Sequence, residues 1–184
     1  VIGEGELTLL ELVKTFNNGG SFESLNNRLS SIKGVVYRKN DDVIITPPRE
    51  RILNLDTCSM IKWSQSDLEK NKFNGLMNWH PDSGNVVAVI SERGCSFNCD
   101  FCSTNVVYGS KVGTKSIESY TDEVSYLVNR KNVNMIVDYA PTANRSAKRI
   151  LDFSDEIKKR KLEKTFSLYQ LWRLQNPITA KSMI

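Results

Sequence analysis

Three apolar runs, separated by helical patterns, constrain the fold of this chain more than any other feature. They cover residues 85–91, 133–140 and 165–172. Short, nearly continuous apolar runs are typical of strands that are buried on both faces, as in a parallel sheet. Strands that alternate with helices predict repeated right-handed βαβ units. We therefore expect an α/β fold in this part of the chain.

The two segments between these strands have the apolar spacing of amphipathic helices. Ser119 and Asp122 fit a capping box at the start of the first helix. Asn144 is the expected N-cap of the second. The inner stripe of the first helix is predicted to contain Tyr120, Val124, Leu127 and Val128, and that of the second Ala147, Ile150, Leu151 and Ile157.

The first half of the chain predicts a helix and a hairpin. Thr8 and Glu11 fit a capping box for a helix over residues 8–20, which follows the strand end and Gly-rich turn of "VIGEGE". "IKGVVYRKNDDVIITPP" predicts a β-hairpin, because β-branched and aromatic residues flank "NDD" and two prolines end the second strand. Residues 49–84 are polar and irregular, and we interpret them as a linker or as a segment that wraps the edge of the sheet.

Composition excludes several classes of protein. The 184 residues allow one medium domain or two small ones, and 25 Lys and Arg against 21 Asp and Glu give a net charge of +4. The densest basic run, residues 158–164, lies in a helical pattern and is interpreted as a solvated face, so nothing argues strongly for nucleic-acid binding and we do not expect it. No apolar stretch is long enough to cross a bilayer, and no signal segment is recognisable. We expect a soluble, cytoplasmic protein without a membrane partner.

The loop after the first buried strand contains three of the four cysteines, spaced Cys95-x3-Cys99-x2-Cys102. Structural zinc sites close with four Cys or His ligands, and the single histidine, His80, lies well upstream. A four-iron cluster on three thiolates would keep one iron open to a small molecule. Loops at the carboxyl ends of parallel strands also carry active sites. The pattern favours a catalytic cluster, with a zinc-stabilised binding module as the alternative and Cys58 as a packing residue.

The stretch "RGCSFNCDFC" resembles the cluster loop of the radical S-adenosylmethionine enzymes, whose signature is C-x3-C-x-aromatic-C. The resemblance implies a [4Fe-4S] cluster on Cys95, Cys99 and Cys102, with its open iron chelated by S-adenosylmethionine. It further implies an enzyme that cleaves S-adenosylmethionine and makes a 5′-deoxyadenosyl radical, which abstracts a hydrogen from a small-molecule substrate. A reductant such as flavodoxin or ferredoxin is the implied protein partner.

The same resemblance implies two further cofactor-binding residues. Phe101 would lie near the adenine of S-adenosylmethionine, with simple core packing as the alternative. Asp138, at the end of the second strand, would lie near the methionyl amine, with a role in capping the next segment as the alternative. Three residues at or beyond the third strand are further candidates without a motif: Tyr169, Gln170 and Arg173.

The segments "VIGEGE" and "IKGVVYR" resemble the passage from an amino-terminal cobalamin-binding domain into the catalytic barrel of one radical S-adenosylmethionine subgroup. The resemblance implies cobalamin as a further cofactor and methyl transfer to an unactivated carbon, with a cobalamin-free methylthiotransferase-like enzyme as the alternative. It divides the chain into the end of a Rossmann-like cobalamin domain (1–33), a hairpin and linker (34–84), and the first three strands of a partial (βα) barrel (85–184). The chain is then expected to be a fragment, and its pattern names no substrate.

Overall fold

The computed structural model describes residues 1–19, 22–64, 68, 85–131, 133–162 and 166–170. The helices are α1 (Glu6–Asn17), α2 (Phe22–Leu29), α3 (Thr104–Tyr108), α4 (Ile117–Lys131) and α5 (Ala147–Lys159). The strands are β1 (Val36–Lys39), β2 (Asp42–Ile45), β3 (Asn85–Val89), β4 (Glu92–Arg93), β5 (Gly113–Thr114), β6 (Val133–Asp138) and β7 (Ser167–Gln170). Within these ranges no helix combines the length and the apolar character that a membrane span needs.

The three predicted core strands form one parallel sheet in the order β3-β6-β7. Apolar side chains of β3 and β6 pack with those of α4 and α5 to form the main core. Its most deeply buried members are Val124, Leu127, Val133 and Ile136. The predicted α/β fold with parallel strands is thus confirmed, whereas closure of this sheet into part of a barrel stays a prediction, as do the three domain boundaries.

Both helices that cover this sheet begin differently from the prediction. In α4 the hydroxyl of Ser116 accepts a hydrogen bond from the amide of Ser119, at 3.1 Å. Ser119 and Asp122 therefore lie inside the helix, and the predicted capping box is wrong. The N-cap of α5 is Ser146, whose side chain accepts from an amide of the first turn. Asn144 is not the cap but is buried in the preceding 3-10 turn.

The capping box predicted for α1 is also wrong, because the helix starts earlier, at Glu6, and has no side-chain cap. Thr8 is buried inside the helix and donates its hydroxyl hydrogen bond to the carbonyl of Lys33, at 3.1 Å. Glu11 pairs with Arg49, with 2.6 Å between the charged atoms. The two residues thus connect α1 to later segments instead of starting it.

The hairpin is confirmed: β1 and β2 are antiparallel, with Val36 opposite Ile45. The sequence did not predict α2, a short helix whose two asparagines favour turns over helices. Packing explains it, since a small core forms where α2 ends. Leu29, Ile32 and Val35 are buried there, with Leu12 and Tyr37 packed against them.

Candidate cluster site

The three clustered cysteines lie in one loop, residues 94–112, which we call the cysteine loop. It follows the carboxyl end of β3 and is bounded by β4 on one side and β5 on the other. These two strands pair antiparallel, with Glu92 opposite Thr114 and Arg93 opposite Gly113. The loop consequently starts and ends at one point, next to the edge where parallel sheets bind their ligands. Strands of two residues have no recognisable pattern, so the sequence did not predict this closure.

Two glycines at the base of the cysteine loop permit very close backbone contacts. Gly94 has a φ of +88°, and a Cβ there would lie 2.5 Å from the carbonyl oxygen of Lys111. A Cβ at Gly113 would lie 2.5 Å from the carbonyl oxygen of Ile52. Side chains do not fit at either position, so both ends of the loop require glycine.

The irregular segment after the hairpin packs against this base. The amide of Thr114 donates to the carbonyl of Leu53 at 2.9 Å, and Asn54 forms an isolated parallel bridge with Thr114. Asp56 accepts a hydrogen bond from the amide of Ser116, also at 2.9 Å. Residues 53–56 of this segment thus lie along β5, as the edge-wrapping interpretation expects, and we call residues 49–64 the edge-wrapping segment. Most of the remainder, including His80, lies outside the described residues.

The three thiols share the loop without converging on one point. The Sγ of Cys95 lies 3.5 Å from Thr142 Oγ1, and the thiol of Cys102 donates to Thr104 Oγ1 at 3.2 Å. Across the part of the chain that the structure describes, no three His, Cys, Asp or Glu side chains are gathered closely enough to hold a metal ion. Assignment of Cys95, Cys99 and Cys102 as ligands therefore stays a prediction.

The chemistry of this donor set fits an iron–sulfur cluster. None of the three cysteines forms a disulfide; Cys102 is exposed, and Cys95 and Cys99 are partly exposed. In the ionised form the sulfur accepts hydrogen bonds from the hydroxyl of Thr104 first and then from its amide, and these lower the pKa of Cys102 below the usual value of a thiol. Thiolates are the ligands that iron–sulfur clusters require. A structural zinc site requires four ligands, so the three thiols of the loop would not complete one by themselves.

The side chain of Phe101 is 93% exposed, so the alternative in which it packs into the core is wrong. Val106 in α3 is 87% exposed. The loop nevertheless has internal order, because Asn105 Nδ2 donates to the carbonyl of Phe97 at 2.7 Å. Contact between Phe101 and an adenine stays a prediction, and the exposed ring is accessible for it.

Asp138 lies at the carboxyl end of β6 and is only 1% exposed. One carboxylate oxygen accepts hydrogen bonds from the amides of Ser91 and Ala140, at 3.0 and 3.2 Å. The other accepts from the hydroxyls of Ser91 and Tyr120 and from Gln170 Nε2, at 2.6, 3.1 and 3.1 Å. Five protein donors thus occupy the carboxylate. This arrangement favours the alternative in which Asp138 caps the segment that follows β6. Contact between Asp138 and a methionyl amine stays a prediction.

The buried carboxylate also changes the acidity of its neighbour. Burial first, and then the negative charge of Asp138, raise the pKa of Tyr120 well above its ordinary value. Of the three candidates without a motif, Gln170 belongs to this hydrogen-bond network. Arg173 and the side chain of Tyr169 lie outside what the structure describes.

A pocket of about 830 Å³ lies between α1, the edge-wrapping segment and the end of β3. Most of its lining is apolar, and Arg93 and Lys115 are among its charged residues. Cys58 lines this pocket and is partly buried, as expected of a small packing residue.

No family model matches the chain. An uncharacterized methyltransferase of Pyrococcus horikoshii is 30% identical over 183 residues, which is 100% of this chain and 37% of that protein. The anaerobic magnesium-protoporphyrin IX monomethyl ester cyclase of Cereibacter sphaeroides is 27% identical over 164 residues, covering 85% of this chain and 24% of that protein. The chain thus spans less than two fifths of the length of each of these curated relatives.

Among solved structures, the radical S-adenosylmethionine methyltransferase TsrM from Kitasatospora setae matches 88% of this chain and 29% of its own, with a TM-score of 0.59 and 17% identity. The chain is thus similar in fold to a radical S-adenosylmethionine methyltransferase and similar in sequence to a methyltransferase and a cyclase. The family resemblance of the cysteine loop is thereby confirmed, and the fold match extends beyond the loop to most of the chain. A second TsrM structure, with cobalamin and a [4Fe-4S] cluster bound, matches with a TM-score of 0.57. At this identity both matches establish a shared fold and nothing finer.

Proposed function

We propose that this chain carries the cluster-bearing part of a radical S-adenosylmethionine methyltransferase, with Cys95, Cys99 and Cys102 as the ligands of a [4Fe-4S] cluster. The observation that carries the proposal is the placement of three thiols in one loop, closed at the carboxyl end of the first parallel strand. When bound, the cluster would supply the electron that cleaves S-adenosylmethionine to methionine and a 5′-deoxyadenosyl radical.

The residues of the chain would position and shield the reactants. Pairing of β4 with β5 fixes the start of the cysteine loop, and with it Cys95, next to the sheet. Thr142 follows β6 and approaches the Cys95 thiol, so it lies at the side of the loop that faces the sheet. The exposed ring of Phe101 offers a flat apolar surface for the nucleoside. Asp138 holds the carboxyl ends of the parallel strands together through its hydrogen bonds.

Methyl transfer assisted by cobalamin is the finer part of the proposal. It is supported by the methyltransferase name of the Pyrococcus horikoshii relative and by the cobalamin in a TsrM structure. The pattern "GEGE" before α1 agrees with it. The cyclase relative aligns with 85% of this chain and is named for a different reaction, so the aligned region does not by itself specify methyl transfer. The substrate is a small molecule under this proposal, and a flavodoxin or ferredoxin supplies the electron.

Anaerobic reconstitution with iron and sulfide tests the cluster. We expect about four iron and four sulfide per chain and cleavage of S-adenosylmethionine in the presence of a reductant. Cys99→Ala should abolish both, whereas the matched control Cys58→Ala should retain both. Equal losses in the two variants would show that the ligands are misassigned. About one zinc per chain without sulfide would instead support the binding module.

Transfer of a labelled methyl group tests the finer proposal. The reconstituted chain is incubated with S-adenosylmethionine labelled in its methyl group, a reductant and hydroxocobalamin. Label on the cobalamin would support methyl transfer through that cofactor. Cleavage of S-adenosylmethionine without any cobalamin binding would favour the cobalamin-free alternative.

A further inference from the structure

Two glutamates of the amino-terminal "GEGE" turn reach the start of the cysteine loop. Glu4, 5% exposed, lies with its Oε1 3.5 Å from Arg93 Nη1. Glu6 Oε1 lies 2.5 Å from Arg93 Nη2. Arg93 is itself only 17% exposed, and Gly94 alone separates it from the first cysteine of the loop. The turn therefore also has a role in the cysteine loop, because its two glutamates form ion pairs with Arg93, the residue just before the loop.

Glu4 also holds the arginine that spans both ends of the loop. Its Oε2 accepts a hydrogen bond from the amide of Ile52 at 2.7 Å and lies 3.8 Å from Arg51 Nε, an ion-pair distance. The guanidinium of Arg51 donates to the carbonyl of Lys111 at the end of the loop. It also donates to the carbonyl of Arg93 at the start of the loop, at 3.4 Å.

The charges in this group strengthen one another. Burial raises the pKa of Glu6, but the hydrogen bond and the charge of Arg93 outweigh it and hold the pKa below its ordinary value. Glu6 is therefore ionised at neutral pH, and the partial burial of Arg93 and Glu6 limits the screening of this ion pair by salt.

We propose that Glu4 is a positioning residue for the cysteine loop. Through Arg51 and Arg93 it fixes both ends of the loop, and thereby the arrangement in which the three thiols receive their cluster. That Glu4 fixes the ends of the loop depends on the contacts alone. That this arrangement receives a cluster rests on the function proposed above. Glu4 contacts neither thiol nor ligand, so its effect passes through the two arginines.

Hydrogen exchange of the reduced, metal-free chain tests the positioning directly. Glu4→Gln preserves the size of the side chain and an acceptor for the amide of Ile52, while it removes the charge. We expect amides of residues 94–112 to exchange about tenfold faster in this variant. The matched control is Glu11→Gln, which breaks an ion pair between α1 and Arg49 but contacts neither end of the loop. Its loop amides should exchange as in the wild type.

A double-variant cycle tests whether Glu4 acts on the cysteine loop through Arg93 or whether its substitution merely destabilises the whole protein. Arg93→Gln should accelerate exchange in the loop as Glu4→Gln does, and the double variant should add little to either change. A merely structural weakening would instead lower Tm and accelerate exchange across the β3-β6-β7 sheet as well. Independent, additive effects of the two substitutions on the loop would overturn the proposal. If Glu4→Gln does not fold, Arg51→Lys provides the second test, because lysine keeps the charge but cannot bridge both carbonyls.

The cluster provides a separate measurement on reconstituted protein. Glu4→Gln should lose iron to a chelator about tenfold faster than Glu11→Gln, and the electron paramagnetic resonance spectrum of its reduced cluster should change. If the wild type binds no cluster but Glu4→Gln still accelerates exchange in the loop, the proposed function fails and the positioning role stands. If the wild type binds a cluster but Glu4→Gln matches Glu11→Gln in exchange and iron loss, the positioning role is refuted and the proposed function stands.

Discussion

Two regions at the same edge of the parallel sheet are organised in opposite ways. Around Asp138 a fully buried carboxylate accepts hydrogen bonds from five donors, which belong to the ends of three strands and to α4. The cysteine loop, which begins three residues after Ser91 in the sequence, carries an almost fully exposed Phe101 and Val106. The fold therefore specifies closely where the loop begins and ends, and leaves apolar groups of its interior accessible to a ligand.

Removal of the buried Asp138 carboxylate should disrupt the ordered region around it and cause the largest loss of stability among these predictions. Asp138→Ala leaves its donors without an acceptor in the interior, so we expect the free energy of unfolding to fall by about 3–5 kcal/mol. Urea unfolding followed by circular dichroism measures it. Asp152→Ala breaks an exposed ion pair with Lys148 and should cost less than about 1 kcal/mol. Similar losses in both variants would contradict the role assigned to Asp138.

A substitution at the base of the cysteine loop tests the boundary between the two regions. Gly94→Ala should lower the free energy of unfolding by about 2–3 kcal/mol, because the new methyl group would meet the carbonyl of Lys111. Gly19→Ala is a matched control: it also has a positive φ, but its Cβ would meet nothing within 4 Å. It should cost only about 1 kcal/mol of backbone strain. Equal shifts in thermal unfolding would mean that the close approach at Gly94 is unimportant.

The dependence of stability on pH tests the ordered region around Asp138 in a second way, through Tyr120. The pKa of Tyr120 is raised above its ordinary 10.0, so above that pH the unfolded chain releases this proton before the folded protein does. Stability from this group is complete below pH 10 and is lost as the pH rises towards the folded-state pKa, by up to about 1.4 kcal/mol per pH unit. Tyr120→Phe should remove this slope. Parallel urea midpoints for wild type and variant above pH 10 would contradict the expectation.

Sequence patterns predicted the features that depend on neighbouring residues. Buried strands, helical spacing, the hairpin and the cysteine cluster all follow from local periodicity or composition. Helix starts were less predictable: several polar residues near each start compete as caps, and tertiary contacts selected Ser146 over Asn144 and moved Thr8 inside α1. The contacts of Glu4 with Arg93, and of Asp138 with its donors, join distant segments. The local sequence does not indicate which of the many charged residues will form ion pairs or hydrogen bonds with one another in the folded chain.

The smallest effect on stability is expected for a substitution in the exposed part of the cysteine loop. Phe101→Ala should change the free energy of unfolding by less than about 0.5 kcal/mol, because a ring that is 93% exposed contributes little packing. The Kd of the reconstituted chain for S-adenosylmethionine, measured by anaerobic calorimetry, should nevertheless rise about tenfold if the ring contacts the nucleoside. Val106→Ala removes another exposed apolar group of the same loop and should change neither quantity. Equal affinities in the two variants would remove Phe101 from the binding site, and a large loss of stability in Phe101→Ala would mean that the loop interior is as firmly packed as the surroundings of Asp138.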